Sequence, residues 1–102
     1  MDTSIDDYHR LLAEGLWKIN PIVIEVGPDV TVSLSLTSET GKQAHVAFVG
    51  VRDLRLVQAT ANWRLSLQIM DIRDRHWEGL HFAVEGEHDE LKFYCREITI
   101  QR

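Results

Sequence analysis

His76, Glu78 and His81 stand close together, with Asp74 just upstream. Imidazole and carboxylate side chains are the ligands of zinc and similar ions. Their spacing does not fit the helical His-Glu-x-x-His pattern, and His81 opens a strand-like segment, so they read as solvated turn residues and no metal is expected. Cys95 could serve as a thiol nucleophile. It shares a strand face with Leu91 and Phe93, where a free cysteine behaves as a small buried hydrophobe. Asp71, Asp74 and Glu78 offer carboxylates for acid–base work. Arg73 and Arg75 alternate with them, which reads as a local ion-pair network around a turn. The chain contains no phosphate loop, dinucleotide fingerprint or Gly-x-Ser-x-Gly elbow. We therefore assign no catalytic residue and no cofactor, and expect a protein that is not an enzyme.

What remains is binding chemistry. Trp63 and Trp77 fall at loop–strand junctions. Tryptophan there either covers one end of a core or anchors a partner; core cover is the reading favoured for each, as for Trp17 against the sheet. Two charged turns are the other candidates. One carries Asp74, Arg75, His76, Trp77 and Glu78; the other is an acidic rim formed by Glu85, Glu87, Asp89 and Glu90.

The elements that position these groups are mostly strands. Ser4, with Asp7 three residues on, can cap an N-terminal helix within the first 16 residues. Ile5, Tyr8, Leu11, Leu12 and Leu16 give it one apolar stripe, and Gly15 ends or weakens it. Asn20-Pro21 imposes an extended or turn conformation. A short strand over Ile22–Val26 follows, then a turn at Gly27-Pro28-Asp29. From Val30 to Thr37 apolar residues alternate with hydroxyls, the period-two mark of a half-buried strand. Ser38–Lys42 reads as a hairpin loop.

Between Ala44 and Val57 the pattern changes at Gly50, which predicts two strand segments joined by a bulge or kink. Gln58–Arg64 reads as a loop. Further strands are expected from Leu65 to about Ile72, from Leu80 to Glu85, and from Leu91 to Cys95. At Ile98 and Ile100 the apolar parity flips, which places a second bulge near Arg96-Glu97. Short connections favour antiparallel pairing, because parallel strands need long crossovers. The expected fold is mainly β (α+β): a bent antiparallel sheet or small β-sandwich of six to seven strands with one short N-terminal helix, built as a single domain over residues 1–102.

Composition is consistent with that outcome. In 102 residues, 44% are hydrophobic and 26% charged, with a formal net charge of −5. This excludes disorder, which needs low hydrophobicity. The lone Cys95 excludes an intramolecular disulfide framework. The 11 basic residues are interleaved with acidic ones, so no nucleic-acid surface is expected, and the acidic balance favours a basic partner. The acidic start, Met1–Asp7, differs from a signal peptide, and no apolar run approaches a membrane span. A bacterial, cytoplasmic location is the expectation.

Three stretches carry a family resemblance: Val46-Ala47-Phe48-Val49-Gly50-Val51-Arg52-Asp53-Leu54-Arg55-Leu56, Asp71-Ile72-Arg73-Asp74-Arg75-His76-Trp77-Glu78-Gly79 and Phe93-Tyr94-Cys95-Arg96-Glu97-Ile98. Over about Ala44 to Gln101 the chain resembles small bacterial β-rich proteins that include the immunity protein 50 family of polymorphic toxin systems. The resemblance implies a cytoplasmic β domain that binds and neutralises a cognate protein toxin, and it supplies no catalytic residues. Members often carry a Phe-His-Asp stretch near the start, which this chain lacks. One alternative is a homo-oligomeric interaction module whose strands around Leu34 and Phe93 are sheet edges. Another is a small-molecule-binding domain with a deep pocket containing several of Asp74, His76, Glu78 and His81.

Overall fold

The computed structural model of the chain describes residues 4–56, 67–75, 79–86 and 91–101. It begins with helix α1 (Ser4–Ala13), followed by strands β1 (Trp17–Glu25), β2 (Thr31–Ser38), β3 (Gln43–Val49), β4 (Arg52–Leu56), β5 (Gln68–Asp71), β6 (Phe82–Glu85), β7 (Leu91–Cys95) and β8 (Glu97–Gln101). A short 3-10 turn, Arg73–Arg75, lies between β5 and β6. The strands form two antiparallel sheets, β1-β2-β3-β8 (sheet A) and β4-β7-β6-β5 (sheet B). The mainly β, antiparallel architecture with one N-terminal helix is thus the one the sequence predicts. The described residues contain eight strands, more than six to seven, because each apparent bulge separates two strands of different sheets.

The first separation is at Gly50. β3 buries Ala44, Val46 and Phe48 in sheet A. After Gly50, in the left-handed region at φ 71°, the chain continues as β4 in sheet B. The second is at Arg96, where β7 of sheet B passes into β8 of sheet A. The two breaks lie side by side: the Arg96 N–H donates to the Val49 carbonyl at 2.9 Å, and the Val51 N–H donates to that of Val30 at 2.9 Å. Arg96 also reaches Asp29 in the β1–β2 turn at 3.2 Å. The parity flip at Ile98 is therefore a corner between sheets, where the inward face changes sides.

A third irregularity lies inside β1. Ile19 pairs with Leu36, but Ile22 pairs with Leu34, so β1 carries one extra residue around Asn20-Pro21. This bulge lets Trp17 and Ile19 face the core before it and Ile22 after it. Pro21 is tolerated because β1 is an edge strand. Trp17 belongs to this strand, so the extended reading of Asn20-Pro21 holds and β1 starts earlier than the pattern at Ile22 suggests.

β2 shows the alternation most plainly, with Val32, Leu34 and Leu36 buried between half-buried Thr31, Ser33 and Ser35. It lies between β1 and β3, and β7 lies between β4 and β6. The strands around Leu34 and Phe93 are therefore interior, which corrects their reading as sheet edges: each has its backbone groups paired on both sides.

Both sheets and the helix bury their apolar faces in one cluster. Phe48 of sheet A meets Phe93 of sheet B edge to face, centroids 5.0 Å apart. Tyr8 and Leu11 bring α1 into that cluster. The Tyr8 hydroxyl donates to the Leu67 carbonyl at 2.7 Å, and Trp17 Nε1 donates to that of Leu11 at 2.8 Å. Trp17 thus seals the helix against the sheet as expected. Leu16, assigned to the helix stripe, is 51% exposed instead, because the helix ends at Ala13 and Gly15 turns the chain away at φ 139°. The loop expected at Gln58–Arg64 lies outside the described residues.

Candidate functional site

The candidate nucleophile is buried. Cys95 is fully enclosed on the inner face of β7, and burial pushes its thiol up to about 12. A reactive thiol needs exposure and a positive environment; Cys95 is packing material. Asp71 is held by its neighbour. The Arg73 Nε donates to both carboxylate oxygens, at 3.0 and 3.1 Å, and the Arg73 backbone N–H donates at 3.0 Å. These bonds lower its carboxyl to about 2. Arg73 in turn lies over the Phe82 ring, 5.7 Å from its centroid. The pair is the ion-paired turn that the sequence suggests, and Asp71 stays ionised rather than acting as a proton carrier.

His81 is half-buried, with Nδ1 3.0 Å from the Arg96 carbonyl. Its backbone N–H donates to the Cys95 carbonyl, which continues the β6–β7 pairing. Among the described residues no group of three His, Cys, Asp or Glu side chains is placed to hold a metal ion. Among the described residues, a cleft beside β5 is lined by Ile5, Asp6, Asp71, Arg73 and Phe82, and by neither Asp74 nor His81.

Three of the proposed binding residues are described. Asp74 and Arg75 are exposed in the 3-10 turn. Glu85 ends β6, half-buried, with one carboxylate oxygen 3.4 Å from Lys92 Nζ. Trp63, His76, Trp77, Glu78, Glu87, Asp89 and Glu90 lie outside the described residues. The fold does not bring the described residues Asp74 and Arg75 beside Glu85. Asp71 pairs with Phe82 at one end of the β5–β6 ladder and Gln68 with Glu85 at the other, roughly 10 Å apart along the strands.

Between those ends lies a surface that sequence reading missed. On β7, Lys92 and Tyr94 alternate with buried Leu91, Phe93 and Cys95, so they face outward from sheet B. Arg55 pairs with Lys92 and Arg52 with Tyr94. Asp53, Leu54, Arg55, Lys92 and Tyr94 line an open cleft of about 570 Å³. Asp53 has φ 55°, the one non-glycine residue with positive φ among those described. It sits where the β4–β7 register shifts. The available signal was the off-phase Lys92 and Tyr94; the bulge in β4 had none.

No curated protein and no solved structure matches the chain. The family described as Immunity protein PIM8 matches residues 18–101, from the second residue of β1 to the last of β8. The match is to PIM8, which supports an immunity-protein family without confirming immunity protein 50, and it extends well before Ala44, where the resemblance was placed. Spanning both sheets and every described strand, it shows that the chain belongs to the PIM8 family of immunity proteins.

Proposed function

We propose that the chain is a non-enzymatic immunity protein that binds one cognate protein toxin and neutralises it in the bacterial cytoplasm. The observation that carries this reading is the PIM8 match across residues 18–101. The buried thiol of Cys95 and the ion-paired carboxylate of Asp71 are in keeping with it, since neither is available for chemistry. The contacts assigned to the partner are the charged turn with Asp74, Arg75, His76, Trp77 and Glu78, the acidic turn of Glu85, Glu87, Asp89 and Glu90, and Trp63 where it is not core cover. The test is co-expression with a candidate toxin taken from the genes beside this chain's own. Cells that express the toxin should survive only when this chain is expressed with it, and the purified pair should form a stable complex. Survival without a complex, or no protection at all, would sink the proposal.

A second reading is self-association, favoured by one edge. β1 pairs only with β2 among the described strands, and Val23, Ile24 and Val26 near its end are exposed, Val26 by 84%. An exposed apolar edge is a template for strand pairing. Light scattering across concentration decides it: a monomer throughout excludes this reading.

A further inference from the structure

The outer face of sheet B departs from the charge of the whole chain. The net charge is −5, yet Arg52, Arg55 and Lys92 stand together on β4 and β7, offset by Asp53 and Glu85. Among the described residues neither Arg52 nor Arg55 has an ion-pair partner, while Lys92 is tethered to Glu85 at 3.4 Å.

The backbone is bent to make this arrangement. Arg52 and Arg55 are three residues apart, and in a regular strand they would point to opposite faces. Here Arg52 lies opposite Tyr94 and Arg55 opposite Lys92, two outward residues only two positions apart. The extra residue in β4 is absorbed by a bulge, with Asp53 at φ 55° and Leu54 turned toward the core. A non-glycine residue in the left-handed region costs about 1 kcal/mol or more, and bulges re-aim side chains. The result is two guanidinium groups on one face, beside a lysine, a tyrosine and an open cleft.

Resting on the immunity reading above, we infer that this face is a docking surface for the toxin and that it takes a carboxylate-bearing segment, with Arg52 and Arg55 as the principal contacts and Lys92 and Tyr94 lining the seat. Guanidinium groups bind carboxylates through paired, charge-assisted hydrogen bonds. Phosphates offer similar acceptors, but Asp53 in the cleft and the net negative charge disfavour a long polyanion. An acidic protein segment needs only the local cations, and arginine is enriched among the residues that dominate interfaces.

The test uses the full chain and the candidate toxin of the co-expression experiment. Titration calorimetry compares the wild type with Arg52→Gln/Arg55→Gln and with Arg52→Glu/Arg55→Glu, with circular dichroism to verify folding. The first variant should weaken binding by about 30-fold or more, the loss typical of a hot spot. The second should weaken it further, and wild-type affinity should fall with added salt. If β4 does not tolerate the pair, Lys92→Gln on interior β7 provides the same readout with a smaller loss. Wild-type binding that all these variants retain overturns the docking surface but leaves the immunity reading intact. Absence of wild-type binding overturns both. A single-stranded oligonucleotide is titrated in parallel; loss of its binding in the variants, with toxin affinity unchanged, assigns the face to nucleic acid and also overturns the inference.

Discussion

Replacing Gly50 with alanine tests the corner between the sheets. Gly50 and Gly79 share φ 71°, so alanine at either position incurs the same kind of left-handed strain, about 1 kcal/mol. Their surroundings differ. Among the described residues a Cβ at Gly79 meets nothing within 4 Å, whereas one at Gly50 would lie 3.0 Å from the Arg96 Cβ. Carbon atoms prefer about 3.5–4.0 Å, so Arg96 must retreat by several tenths of an ångström. It is held there by its N–H bond to Val49 at 2.9 Å and its ion pair with Asp29 at 3.2 Å. Forced overpacking of this kind costs about 1–2 kcal/mol more. Gly50→Ala should therefore destabilise the chain by about 2–3 kcal/mol and Gly79→Ala by about 1. Urea unfolding followed by tryptophan fluorescence would show this as a midpoint lowered by about 1–2 M against about 0.5 M, for a slope near 1.5–2 kcal/mol per molar. Equal midpoint shifts for the two variants would refute the close approach of the two crossovers.

Two further outcomes follow from the buried and paired groups. Cys95 should resist a thiol reagent at pH 8 in the native state and react at once in denaturant. Because its folded value is raised from 9.0 to about 12, its contribution to stability is present below pH 9 and lost as pH rises toward 12. Rapid native labelling would contradict its burial. Asp71 is shifted the other way, from 3.8 to about 2. Its ion pair therefore stabilises the fold above about pH 4, and that contribution disappears as pH falls toward 2. The pair is exposed to solvent, so Arg73→Gln should cost only about 0.5 kcal/mol at pH 7. NMR titration should show the Asp71 carboxyl returning toward its ordinary value in that variant; an unchanged titration would contradict the pairing.

The sequence by itself determined the local elements. The hydroxyl–apolar alternation of β2, the spacing of Tyr8 and Leu11 and the turn residues around Gly41 each act over a few neighbours, so the local order of residues reveals them. It also exposed two places where the pattern breaks, at Gly50 and at Arg96-Glu97. It did not reveal what those breaks are for. A change of parity looks the same along the chain whether a strand bulges or changes sheet, and only pairing partners far apart in sequence, such as Val49 with Arg96, make the distinction. The same limit applied to the candidate site. The charged turns were legible as charge runs, but among the described residues Asp71, which leads into one, and Glu85, which opens the other, stand at opposite ends of the β5–β6 ladder. Arg52 and Arg55 are three residues apart, a spacing that puts residues of a regular strand on opposite faces; the tertiary structure sets them on the same face, because an extra residue in β4 is absorbed against the register of β7.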